Sequence, residues 1–194
     1  MDITSKEYWQ AQYQYNQIGW DVGYISTPIK EYIDQLSDKN LSILIPGAGN
    51  AYEAEYLYKK GYHNTTVLDI AKTPLENIKN RFPLFPDAQL IEGDFFMHDG
   101  KYDLIIEHTF FSAFPLTYRE KYVNKMHELL NPNGKLVGLL FDKDFGNPFP
   151  PFGGDYQTYF DLFSKKFNIN CLEKAYNSIK PRLHYEFFIN FERR

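Results

Sequence analysis

Four short stretches of the chain carry residues able to do chemistry. Gly47-Ala48-Gly49 follows the apolar run Leu41–Pro46, LSILIP. Glycine there lets a ligand approach the main chain closely, and a helix starting just beyond offers free amide groups. Asp69 lies near the end of the run Thr65–Ile70, TTVLDI. A carboxylate roughly twenty residues past the glycines suits both hydroxyls of a ribose. Gly93-Asp94-Phe95 ends a third run. Asp94 can accept from a purine amino group, and Phe95 can stack on the base. His108, just past Tyr102–Glu107 (YDLIIE), can orient a nucleophile or take its proton. Each feature also has a plainer reading: a tight turn, a helix cap, a core ring, a hydrogen-bonded structural histidine.

The elements that must position these residues alternate. The runs 41–46, 65–70, 88–92, 102–107 and 135–141 read as strands, since they are apolar and rich in β-branched residues. Helices are predicted between them. Asn50 with Glu53, Thr73-Pro74-Leu75-Glu76, and Thr117 with Glu120 look like capping boxes. Asn131-Pro132-Asn133-Gly134 turns the chain into the fifth strand. Crossovers of this kind make a parallel sheet with right-handed connections. After Phe141 comes a proline- and glycine-rich loop, then a helical stripe of Tyr156, Tyr159, Phe160 and Phe163. Strands 167–174 and 184–191 follow, with a connection short enough for an antiparallel pair. The expected fold is therefore α/β: a mostly parallel, seven-stranded sheet with one antiparallel strand and helices on both faces. Residues 1–40, with a cap at Thr4 and Glu7, read as a helical cover over the ligand end of a domain spanning 41–194.

Composition narrows the function. The chain has 194 residues, 43% hydrophobic and 24% charged, with mean hydropathy −0.49. A net charge of −4 and a pI near 5.7 weigh against a nucleic-acid partner, which needs a cationic face. No apolar run approaches a membrane span. The single cysteine, Cys171, leaves no disulfide framework and no cysteine-based zinc site, so no metal is expected. With no apolar segment in Met1–Gln10, a cytoplasmic monomer is expected. The aromatic content of 18% suggests a ring-lined cleft or a generously packed core.

A dinucleotide would want a third glycine where Tyr52 stands, and no phosphate-cradling loop with Lys-Ser/Thr is present. A cofactor without pyrophosphate, S-adenosylmethionine, fits better. The sequence ILIPGAG, VLDI, GDFF, YDLIIEHTFF and NPNGKL resembles the class I S-adenosylmethionine-dependent methyltransferases. With Trp20-Asp21-Val22-Gly23 and Pro150-Pro151-Phe152, it is similar to the thiopurine S-methyltransferase family, which includes thiol, thiocyanate and halide methyltransferases.

The resemblance implies a Rossmann-like fold and cofactor contacts at Trp9, Tyr13, Trp20, Gly47, Asp69, Asp94 and Phe95. Gly49, Ile70 and Glu107 are placed beside them. Tyr13 stands where many relatives have Trp. His108 falls where relatives place a residue near methyl donor and acceptor, and is the expected catalytic group. Phe110, Phe111 and Tyr156 are the expected acceptor contacts. The implied reaction is methyl transfer to a small soft nucleophile: thiol, sulfide, thiocyanate, halide or thiopurine-like sulfur. A small-molecule O- or N-methyltransferase, or a non-catalytic adenosine-binding module, would share most of these features.

Overall fold

The computed structural model describes residues 2–194. Its strands are β1 (Ile43–Pro46), β2 (Thr65–Asp69), β3 (Leu90–Glu92), β4 (Tyr102–His108), β5 (Leu130–Phe141), β6 (Phe167–Lys174) and β7 (Glu186–Arg193). They form one sheet in the order β3-β2-β1-β4-β5-β7-β6. All neighbours from β3 to β5 pair in parallel, while β7 runs antiparallel to both β5 and β6. The expected sheet, with its single reversed strand, is what the chain forms. The chain reverses its order of laying down strands between β1 and β4, and that is where α/β sheets open a crevice.

Apolar residues on both faces of the strands explain why both faces are covered. Ile43 and Ile45 of β1 enter one core layer, with Val67 of β2 and Leu104 and Ile106 of β4. Helices α2 (Thr27–Gln35), α3 (Tyr52–Lys59) and α4 (Lys72–Arg81) cover that layer through Ile29, Ile33, Ala54, Leu57 and Ile78. Leu44, Leu68, Ile105, Leu136 and Leu140 enter the opposite layer. There they meet Tyr122 and Met126 of α5 (Arg119–Leu129), and Tyr159 and Phe163 of α6 (Tyr156–Phe163). Helix α1 (Lys6–Gln14) lies outside both layers and contains no buried residue.

The structure corrects several boundaries. Residues 1–40 are not one cover: α2 buries Ile29 and Ile33 in the core, and only α1 and the segment through Trp20 reach the ligand end. The expected caps are displaced. Ser5 caps α1, Ala51 precedes α3 in a left-handed conformation, Ala71 precedes α4, and Tyr118 precedes α5. The turn at Asn131–Gly134 lies inside β5 as an irregularity, between the pairings of Leu130 with Tyr102 and Lys135 with Leu104.

Strands β4 and β5 approach closely at Gly138. A Cβ there would sit 1.8 Å from the carbonyl oxygen of Glu107, a backbone atom with nowhere to go. Gly138→Ala is expected to destabilise the protein by on the order of 3 kcal/mol. The readout is a lower urea midpoint at unchanged slope, and an unmoved midpoint would refute the close approach.

Candidate active site

The ends of β1, β2, β3 and β4 surround a cavity of about 660 Å³. Beyond β1 the chain bends through Gly47 and Gly49, both at positive φ. Phe110 packs its ring directly on Gly47, where a Cβ would fall 1.9 Å from it, so only glycine serves. Asp69, the last residue of β2, holds the bend in place. Its Oδ2 accepts from the Gly49 amide at 2.9 Å, and its Oδ1 accepts from the Ala71 amide at 2.8 Å. Burial raises its pKa to about 6, while these amides act in the opposite sense. The carboxylate thus lies against the glycine bend and also lines the cavity.

One end of the cavity is formed by Asp69, Ile70, Gly93, Asp94 and Phe95. Asp94 Oδ1 accepts from the Phe96 amide, so one of its oxygens closes a local turn. Phe95 is 4% exposed and packs edge-on against Phe110, which makes it a wall more than an open stacking surface. The roof is aromatic. Trp20 meets Trp9 and Tyr13 edge-to-face, at centroid distances of 5.5 and 5.8 Å. Burial, then the Asp69 charge, keeps the Tyr13 hydroxyl protonated far into the alkaline range. Polar contacts anchor this roof: Gln10 Oε1 accepts from the Lys72 and Thr73 amides at the start of α4, and Asp21 accepts from Asn50 and Tyr52 at the start of α3.

The other end of the cavity lies past Thr109 and Phe110. Phe114, Tyr118, Phe141, Phe145 and Phe149 line it together with Pro150 and Pro151, and Lys121 and Arg182 stand at its edge. Sequence reasoning missed this aromatic arm and both cations, because their positions in the chain share no period.

The geometry separates the remaining expected residues from the cavity. Glu107 and His108 are consecutive on β4, so they face opposite sides of the sheet. Glu107 is fully buried; its carboxylate accepts from the Phe111 amide at 2.9 Å and from the Tyr122 hydroxyl. Burial lifts its pKa to about 7. Its carboxylate therefore faces the core and not the cavity.

His108 borders a small second cavity under the glycine bend, not the large one. Its Nδ1 lies 3.0 Å from Glu53 Oε1, and its Nε2 lies 3.0 Å from an Arg182 nitrogen. A guanidinium only donates, so Nε2 is the acceptor and Nδ1–H donates to Glu53. The lone pair a base would need is already occupied. Arg182 also donates to Glu186 and, at 2.7 Å, to the carbonyl of Trp20. Phe111, 2% exposed, packs into the core on Tyr122 and Tyr159. Tyr156 is half exposed on α6 and stacks on Phe160, away from the cavity. Gly49 serves the site through its amide.

A nucleoside-sized crevice at the strand-order reversal, with a carboxylate beside a glycine bend, is that of a Rossmann-like adenosine-binding fold, and the family match makes its class the S-adenosylmethionine-dependent methyltransferases. The model of the thiopurine S-methyltransferase family matches residues 4–187, and the chain belongs to that family. It is 31% identical to the "Probable thiol methyltransferase 2" of Arabidopsis thaliana over 164 residues, covering 82% of this chain and 72% of that protein. It is 24% identical to the "Thiopurine S-methyltransferase" of Vibrio campbellii over 194 residues, covering 88% and 86%. Among solved structures, the fold is similar to that of magnesium protoporphyrin IX methyltransferase from Synechocystis PCC 6803 with bound S-adenosylmethionine. The TM-score is 0.73 at 12% identity, covering 100% of this chain and 98% of that one. It is also similar to 1,6-didemethyltoxoflavin-N1-methyltransferase from Burkholderia thailandensis, with TM-score 0.77 at 13% identity, covering 97% and 86%. No helix of the described residues is long and apolar enough to cross a membrane.

The two buried carboxylates make stability depend on pH. Each holds its proton in the folded chain to higher pH than in the unfolded chain. Stability from this source is full below the ordinary carboxylate range near 4 and is lost as pH rises from there through about 6 for Asp69 and about 7 for Glu107. The urea midpoint of the ligand-free protein should therefore fall from about pH 5 to about pH 7.5. Glu107→Gln, which stays neutral, should fall less, and a profile as steep as that of the wild type would count against the buried carboxylate.

Proposed function

We propose that the enzyme methylates the sulfur of a flat, apolar thiol taken as its thiolate. The observation that carries this reading is the lining of the cavity. Among its described residues there is no histidine, and the only carboxylates are Asp69 and Asp94 at the opposite end. An alcohol or phenol acceptor calls for a nearby general base. A thiol, with a pKa of about 8.5 and lower when aromatic, is partly ionised near neutrality without one. Lys121 lines the acceptor end and supplies a positive charge that favours an anion, whereas Arg182 is already paired with Glu186. The rings and prolines there offer more apolar surface than a halide or thiocyanate can use.

The cofactor fits the other end. Asp69 would hold the ribose, Ile70, Asp94 and Phe95 the purine, and Gly47 with the Trp9–Tyr13–Trp20 roof the remainder. Aromatic faces attract a sulfonium. When bound, S-adenosylmethionine supplies a methyl group activated for in-line displacement with a neutral leaving group. The chain itself contributes alignment and exclusion of water. In this reading His108 is a positioning residue, locked between Glu53 and Arg182, and not the base.

Two measurements test this reading. In calorimetry with S-adenosylhomocysteine, Asp69→Ala should weaken binding about 10- to 100-fold near pH 8, the scale of hydrogen bonds to a charged group. Wild-type affinity should fall as pH drops through about 6, since protonation removes the accepting charge, and the variant should lack that dependence. In a radiolabelled methyl-transfer screen, thiophenol should exceed iodide and thiocyanate by about 100-fold in kcat/KM, the value of burying one ring. Phenol, un-ionised near neutrality, should not react. Equal use of thiocyanate would overturn the aromatic acceptor, and binding without turnover of any acceptor would leave a ligand-binding module.

A further inference from the structure

We propose that Thr109 is a catalytic hydroxyl, donating a hydrogen bond to the acceptor sulfur and favouring its ionised form. This rests on the thiol reading above. Thr109 is the first residue past β4, and it borders both the large cavity and the small one under the glycine bend. It stands where the nucleoside end meets the aromatic arm.

Its backbone is strained. With φ at +67°, it occupies the left-handed region, as do Asn16, Ala51, Asn133 and His184 among the non-glycine residues described. Thr109 alone of these is β-branched, the side-chain type least suited to that region. Glycine would adopt the same backbone freely. Such strain persists only where the surroundings impose it, and it gathers at functional sites. The surroundings here do impose it. His108 is fixed by Glu53 and Arg182, the ring of Phe110 is pressed on Gly47, and the Phe111 amide is held by Glu107. The Thr109 carbonyl accepts from Ser112 Oγ, so that neighbouring hydroxyl is committed. The Thr109 hydroxyl itself makes no hydrogen bond to any described residue. A side chain retained at a position built for glycine, with its polar atom uncommitted, points to a ligand.

The chemistry balances simply. The S–H bond of the acceptor breaks heterolytically, the proton leaves to solvent, and the electron pair stays on sulfur. Thr109 keeps its own proton and shares it as a hydrogen bond. A donor to the charged form favours that form. This supplies help with ionisation that His108, its lone pair occupied, does not give.

The test uses the complex with S-adenosylhomocysteine and thiophenol, whose thiolate is followed by ultraviolet absorbance. Bound thiophenol should ionise about one pH unit lower on the wild type than on Thr109→Gly or Thr109→Val, a tenfold difference in the ionisation constant. Thr109→Ser should restore the wild-type midpoint. Thr109→Gly fits the backbone without strain, so its affinity for S-adenosylhomocysteine should be unchanged and its thermal midpoint no lower. Its kcat should fall about tenfold on the acid limb and converge with the wild type in alkali. Identical midpoints and pH profiles in the wild type, glycine and valine forms would overturn this assignment alone. A wild type that neither binds nor methylates thiophenol would overturn the thiol reading and this assignment with it.

Discussion

The site depends on two consecutive side chains at the end of β4 that must be satisfied on opposite faces of the sheet. A buried carboxylate or imidazole without partners costs more than most single contacts contribute. Glu107 finds the Tyr122 hydroxyl and the Phe111 amide in the layer under α5 and α6. His108 finds Glu53 of α3 and Arg182 before β7 in the other layer. Together these pairings fix where the chain can turn. The turn carries Thr109 into the left-handed region and sets Phe110 on Gly47. Remove either side of the knot and the boundary between the two ends of the cavity loses its support.

The roof is held differently from the floor. The floor belongs to the sheet and shares its core, whereas α1 buries no residue and stays in place through side-chain contacts at its edges. Gln10 takes the free amides of α4, and Arg182 grips the carbonyl of Trp20. Elements with few buried apolar contacts open at the lowest free energy. The roof is thus the part of the enclosure that can part from the rest without disturbing the sheet. Arg182 links this movable part to the rigid knot, since one guanidinium bonds to both His108 and Trp20.

Most of the fold was legible because its signals are local. Runs such as LSILIP and TTVLDI are apolar on both faces, and that alone identifies buried parallel strands. The capping signals misled because their polar side chains were engaged elsewhere. Asn50 donates to Asp21 and accepts from Asn77, and Thr73 bonds to Gln10, so neither caps its helix. The same distinction holds at the site. Gly47, Asp69 and Asp94, picked out by a strand end and a spacing, line one cavity. Glu107 and His108 fall outside the large cavity because their side chains are held by Tyr122, Glu53 and Arg182, residues that only the folded chain brings near. Thr109 left no mark in the sequence, since a positive φ at a threonine follows from its neighbours' constraints.

The high aromatic content now has a physical account that joins core to chemistry. Phe95, Phe110, Phe114 and Tyr122 form one cluster, in which Phe110 lies 5.1, 4.9 and 5.9 Å, centroid to centroid, from Phe95, Phe114 and Tyr122. Tyr122 is the buried end, tied to Glu107, while Phe110 and Phe114 are cavity wall. The wall is therefore continuous with the core, and Phe110 seats it on the glycine bend. Displacement at a methyl group needs little from the protein beyond a fixed line of approach and a dry environment. A wall continuous with the core offers both.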